Sequence, residues 1–128
     1  MKTVLTVAGS DPSGGAGIQA DIKTITAHGL YATSAITALT VQNTLGVSRV
    51  EPVPVDLVAQ QIDCVVGDIR PDAVKIGMLC NAEIVQAVAQ ALAHGQAECI
   101  VIDPVMISTS GHRLLDQEAV SYTHLTLP

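Results

Sequence analysis

Apolar and polar positions along the chain alternate between two periods, and the switches from one to the other mark out the elements. Thr3 to Ala8 is an almost unbroken β-branched and apolar run ending at Gly9, which predicts a first strand. Ile18, Ile22 and Ile25 then recur at helical spacing between Gly15 and His28, with Asp21 near the positive end of that helix and Gly29 as its stop. Thr33 to Val41 reads as a second strand, closed by Gln42-Asn-Thr-Leu-Gly46, and Val47 to Val53 as a short extended piece. Val58, Ile62 and Val65 predict a helix from Val55 to Val66, with Asp56 in its first turn and Gly67 after its last. Ala73 to Leu79 is the next strand. Asn81 is placed to cap a third helix whose apolar face is Ile84, Val85, Val88 and Leu92, ended by Gly95. Cys99 to Asp103 is a further buried strand, stopped by Pro104.

Strands alternating with helices at this spacing imply crossover units and an α/β fold, its mainly parallel sheet covered on both faces. No internal repeat, low-complexity tract or linker divides the chain. Its 128 residues, 48% of them hydrophobic, are enough for a sizeable core. Tyr31 and Tyr122 are the only aromatics, so that core is built from Ala, Val, Ile and Leu, which suits buried parallel strands. A net charge of −6 without a Lys/Arg cluster argues against a nucleic-acid surface, which needs a basic stripe. No apolar run approaches the roughly 18 residues that span a bilayer, and Met1 to Ala8 is too short for a signal-peptide core, so a soluble cytoplasmic protein is expected. Cys64, Cys80 and Cys99 show neither disulfide nor zinc spacing and read as buried free thiols. His28, His94, His112 and His124 are scattered singly and read as surface or helix-end residues.

The chemistry concentrates in Gly9-Ser-Asp-Pro-Ser-Gly-Gly-Ala-Gly-Ile-Gln-Ala-Asp21. Here glycines able to take positive φ (Gly14, Gly15, Gly17) precede a helix whose first amides are unpaired, the composition of an anion- or ligand-binding loop. A P-loop can be laid from Gly9 to Gly14, but Gly15 and Ala16 stand where its Lys and Ser/Thr belong. Gly15, Gly17 and Ala20 satisfy a dinucleotide fingerprint in form, yet Gln42 and Asn43 follow the second strand instead of an acidic ribose partner. A tight turn without a ligand is the plain alternative. Open parallel sheets bind ligands beyond the carboxyl ends of their strands, which would gather Asp11 to Gly15, Gln42, Asn43, Met78 and Asp103 to Met106. That mixture suits a neutral heteroaromatic better than a polyanion, with the Gln42 amide able to donate and accept toward ring nitrogens and an exocyclic amine.

Four segments sharpen this reading: Ala8-Gly-Ser-Asp-Pro-Ser-Gly-Gly-Ala-Gly-Ile-Gln-Ala-Asp-Ile-Lys23, Ile36-Thr-Ala-Leu-Thr-Val-Gln-Asn-Thr44, Lys75-Ile-Gly-Met-Leu79 and Asp103-Pro-Val-Met106. In order and spacing they resemble the hydroxymethylpyrimidine and phosphomethylpyrimidine kinases of thiamine biosynthesis, of the ribokinase-like superfamily, over about residues 3 to 120. Ser110-Gly-His-Arg-Leu-Leu115 agrees with the same family. The resemblance implies the N-terminal portion of a three-layer α/β/α kinase. With ATP and Mg2+ such an enzyme phosphorylates the alcohol of 4-amino-5-hydroxymethyl-2-methylpyrimidine and then its monophosphate. It also implies that Gln42 hydrogen-bonds the aminopyrimidine, that Asp11, Gly14 and Gly15 line the substrate side, and that Met78 and Val105 pack on the ring. Asp103 resembles the acidic position that helps hold a cation in related vitamin kinases, with a loop-capping carboxylate before Pro104 as the plain alternative. A homodimer is expected of the full-length protein.

Members of that family run to about twice this length, and their second half carries a GTGC-type anion hole with the catalytic Cys, an Asn-Pro-Asn segment with a nearby Glu, and most of the ATP site. No GTG triplet occurs here, so no catalytic residue is assigned, and the chain by itself is expected to be an inactive, marginally stable part of the kinase. Residues 1 to 120 are assigned to one ribokinase-like domain. Ser121-Tyr-Thr-His-Leu-Thr-Leu-Pro128 departs from the amphipathic helix of the family and reads as a non-native tail. A pyridoxal or pyridoxine kinase of the same superfamily and a non-catalytic pyrimidine-binding fragment are the competing readings.

Overall fold

The computed structural model describes residues 1–103. Val105 and the 121–128 segment therefore lie outside the described residues. Four parallel strands form a sheet in the order β2-β1-β5-β6: β1 Thr3–Ala8, β2 Tyr31–Ile36, β5 Ala73–Ile76 and β6 Ile100–Ile102. Strands β3 (Ala38–Asn43) and β4 (Gly46–Pro52) form a separate antiparallel hairpin. Side chains alternate across the sheet, so Leu5, Val7, Val74 and Ile76 face α2 (Val55–Asp68) and α3 (Ala82–His94). There they meet Val58, Ile62, Ile84, Val85, Val88 and Leu92 in the fully apolar core. The opposite face carries α1 (Gly17–Ala27) over β1 and β2, giving three layers.

The run Thr33 to Val41, expected as one strand, is two strands broken at Thr37. Backbone bonding explains the break. Thr37 donates its N–H to Ala8 O and its hydroxyl to Met78 O, while its own carbonyl accepts from Val53 N. One fully buried threonine thus joins the ends of β1, β5 and the hairpin, and beyond it the chain leaves the sheet. The edge strand β2 is closed at Ile36 by Gln61 of α2, whose amide accepts from Ile36 N at 2.9 Å and donates to Ile36 O at 3.0 Å, imitating a neighbouring strand.

Other boundaries move for local reasons. The fifth strand stops at Ile76 because Gly77 to Cys80 turns away, with Cys80 in the left-handed region at φ 77°. Helix α1 starts at Gly17 and not at Gly15, because the loop's amides are already bonded to Asp11. Asp21 consequently lies in the second turn and does not face the helix's positive end. Helix α2 runs through Gly67, and Arg70 takes the left-handed position at φ 55°. Helix α3 ends at Gly95 as expected, but Gln96 makes the left-handed turn. Gly95 serves packing instead, since a Cβ there would come within 2.7 Å of Val66 Cγ1 on α2. Asn81 caps α3 as its spacing predicts, its Oδ1 accepting from Ile84 N at 2.9 Å. Two of the cysteines are a correction: Cys64 and Cys99 are exposed on α2 and before β6, while Cys80 is half-buried and packs against the core.

Candidate functional site

The site is built on the backbone that leaves β1. At Gly9 a Cβ would lie 2.3 Å from the terminal methyl Cε of Met78, so a side chain there would push the flexible thioether aside, and its carbonyl accepts from Ile18 N at 2.9 Å. Gly17, at φ 59°, is the position that requires glycine, because a Cβ there would meet the backbone oxygen Gly9 O at 2.3 Å. The strand end, the first turn of α1 and the Met78 side chain are therefore in close contact, and neither glycine can gain a side chain without displacing them.

Asp11 answers what the glycine loop holds. Its Oδ1 accepts from the Ser13 amide at 2.8 Å and the Ser13 hydroxyl at 2.6 Å, and its Oδ2 from Gly15 N at 2.9 Å. Burial alone would raise this carboxyl, which is 2% exposed, but the Ser13 hydroxyl and the amides of Ser13, Gly15 and Ala16 together hold it below its ordinary value. The anion in the loop is thus the chain's own. Gly14 takes positive φ (84°) as expected, and Gly15 does not. Lys23 reaches back from α1 to donate to Gly14 O at 3.0 Å, and Gln19 Oε1 accepts from Asp11 N at 2.7 Å.

The hairpin brings Gln42 to the same backbone. Ser10 N donates to Ala38 O at 2.9 Å, Thr40 N to Ser10 Oγ at 3.1 Å, and the Thr40 hydroxyl to Ser10 O at 2.8 Å. Gln42 Nε2 donates to Thr40 Oγ1 at 2.8 Å and to Ser10 O at 3.4 Å. Asp11, Gly14, Gly15, Gln42 and Met78 therefore gather around Gly9 and Ser10, at the carboxyl end of β1. Asn43, expected on this edge, turns outward and closes the hairpin turn, its Oδ1 accepting from Leu45 N. Asp103 ends β6, two strands from β1, exposed, with its N–H donated to Ile76 O at 2.8 Å.

Glycine spacing and ligand chemistry alone do not point to Ser10, Thr37 and Thr40. The signal was available: Ala38, Thr40 and Gln42 share one face of β3 while Leu39 and Val41 share the exposed other. Also missed was a polar link beneath the loop. Lys75 Nζ lies 2.9 and 3.1 Å from the two oxygens of Asp21, one of which also accepts from Thr6 Oγ1 at 2.6 Å. Gly77 leaves room for that ammonium, which a Cβ would approach to 3.1 Å. A cleft of about 710 Å³ lies elsewhere, at the amino ends of the strands among Arg70, Asp72, His94 and Glu98. It is the wrong edge for a ligand of an open parallel sheet.

The family model for phosphomethylpyrimidine kinase matches residues 11–127. The chain belongs to the phosphomethylpyrimidine kinase family. It is 51% identical over 121 residues to the hydroxymethylpyrimidine/phosphomethylpyrimidine kinase of Haemophilus influenzae, covering 94% of this chain and 45% of that protein. The Escherichia coli kinase of the same name is 53% identical, with 94% and 46% covered. Among solved structures, phosphomethylpyrimidine kinase from Clostridium difficile superposes with a TM-score of 0.89 at 49% identity, over 96% of this chain and 53% of that one. A pyridoxal kinase from Staphylococcus aureus in complex with pyridoxal follows at a TM-score of 0.84 and 35% identity, over 99% and 45%. The central parallel sheet between helices is that of the ribokinase-like kinases. This member spans about half the length of the relatives it matches.

Proposed function

We propose that this chain forms the acceptor side of an ATP-dependent kinase that phosphorylates 4-amino-5-hydroxymethyl-2-methylpyrimidine and its monophosphate in thiamine biosynthesis. The observation that carries the reading is the convergence of the Gln42 amide and the Met78 thioether on one short stretch of backbone, Gly9 and Ser10. An apolar wall beside a directional polar group is what a flat heteroaromatic requires. The Asp11-filled loop shapes that wall and leaves its own donors no phosphate to hold. Val105 completes the ring contact in this reading.

Phosphoryl transfer asks a protein for positioning and charge stabilisation more than for covalent chemistry. Gln42 and Met78 supply positioning by fixing the ring and so the direction of its hydroxymethyl group. Magnesium, when bound with the nucleotide, supplies charge neutralisation on the transferred phosphoryl group. Asp103, exposed at the carboxyl end of β6, would hold it as a single carboxylate ligand beside nucleotide phosphates, a usual arrangement for this ion. The same reading takes the full-length enzyme as a cytoplasmic homodimer acting on small molecules, and the net charge of −6 argues against a nucleic-acid partner; among the described residues no helix is long and apolar enough to cross a membrane.

Titration calorimetry of the 128-residue chain with the pyrimidine and with ATP tests the reading. Binding of the pyrimidine without measurable ATP affinity is expected, and no ATP-dependent phosphorylation by this chain alone. Absence of pyrimidine binding would defeat it. The likeness to pyridoxal kinase makes pyridoxal the second acceptor to titrate, and tighter binding of pyridoxal than of the pyrimidine would reassign the substrate.

A further inference from the structure

The hydroxyl of Thr40 has one proton, and its surroundings decide where that proton goes. Ser10 O, 2.8 Å away, is a carbonyl and can only accept. The Thr40 proton is spent on it, so Thr40 Oγ1 can only accept from the Gln42 atom 2.8 Å away, which must be the nitrogen. The second Nε2 proton points to Ser10 O at 3.4 Å. Turning the amide over would set two oxygens against each other at both places. The orientation of Gln42 therefore follows from the proton count and not only from the position of its atoms. Both donors of the amide are directed into the protein, and Oε1 accepts from none of the described residues.

We infer that Thr40, acting with Ser10 O, is a specificity-determining positioning residue that locks the Gln42 amide with its carbonyl outward, so that the site selects a heteroaromatic ring carrying a hydrogen-bond donor at that edge. This rests on the pyrimidine reading above and narrows it: the amide does not both donate and accept toward the ring, it only accepts. The exocyclic amine of an aminopyrimidine satisfies Oε1, whereas a methyl group of the same size in its place leaves a desolvated carbonyl without a partner. Thr40 is 7% exposed and touches no ligand in this scheme, so its effect passes through Gln42 alone.

The test compares the 128-residue chain with Thr40→Val and Thr40→Ser, titrating 4-amino-5-hydroxymethyl-2-methylpyrimidine and its 4-methyl counterpart. The unmodified chain is expected to favour the amine by about 10- to 100-fold, the cost of one unmet buried acceptor. Thr40→Val frees the amide to rotate and should cut that preference to about threefold or less. Thr40→Ser, which keeps the hydroxyl, should restore it. Equal discrimination in Thr40→Val and the unmodified chain overturns the lock. Failure of the unmodified chain to bind either ligand overturns the pyrimidine reading, and this specificity with it. An NMR measurement without ligand separates the two: the Gln42 side-chain amide protons should exchange slowly in the unmodified chain and fast in Thr40→Val. Fast exchange in the unmodified chain would refute the lock even where the pyrimidine binds.

Discussion

At the scale of single residues, Asp11 and Gly17 carry the loop. Asp11 titrates below its ordinary value in the folded chain, so it adds stability that is fully present above its unfolded value of 3.8 and is lost as pH falls through the lower folded value. Asp11→Asn should cost about 2 kcal/mol at neutral pH, the worth of hydrogen bonds to a charged group. Urea unfolding at pH 7 and pH 3 checks this: the variant should lose less stability on acidification than the unmodified chain, and equal losses would contradict it. Some slope will remain from Asp72, which the Thr3 amide and Lys2 also hold below its usual value. Gly17→Ala combines a left-handed φ with a Cβ 2.3 Å from a carbonyl, and should destabilise by about 2 kcal/mol or more, read as a fall in urea midpoint at unchanged slope. The need for glycine at Gly14 and Gly17 was legible in the sequence; the occupant of the loop was less so, because an Asx-turn from Asp11 to Ser13 is a local preference, but its second oxygen reaching Gly15, four residues on, depends on the glycines' backbone path.

Elements were legible where periodicity and burial agree. The apolar faces of α2 and α3, the cap at Asn81 and strand β1 are as the pattern predicts, since each depends on neighbours in sequence. The break at Thr37 was hidden because β2 and β3 are similar in composition and differ in partner: one pairs with β1, the other with β4. Helix ends misled for the same kind of reason. Gly67 looked like a stop, yet it lies within α2 with open space where a Cβ would be, so backbone freedom there serves no packing. Gly67→Ala should therefore stabilise the chain by about 0.5–1 kcal/mol, seen as a higher melting temperature. A decrease would mean that the helix end needs the glycine after all. The same substitution at Gly95, against Val66, should destabilise.

At the scale of the molecule, the two edges of the sheet among the described residues are unequal. Strand β2 is closed at Ile36 by Gln61, while at β6 the α1-side residue Val101 is 58% exposed. An exposed β-branched residue on a terminal strand invites association, and Val101→Lys should lower the sedimentation-detected self-association of the chain without lowering its melting temperature. Unchanged association would place the sticky surface elsewhere, with the exposed Leu39 and Val41 of the hairpin as the next site to change. That asymmetry could not be read from composition, because it depends on which helix reaches which strand.

The carboxylate inside the glycine loop has a consequence for the timing of recognition. A loop that waits for a phosphate must order itself when the ligand arrives, and part of the binding energy goes into that ordering. Here Asp11 has already drawn the amides of Ser13 and Gly15 into place, so the wall beside Met78 exists before any encounter. Arrival of the proposed acceptor should then resemble a key meeting a finished lock, its rate rising in proportion to concentration with no slow rearrangement to limit it.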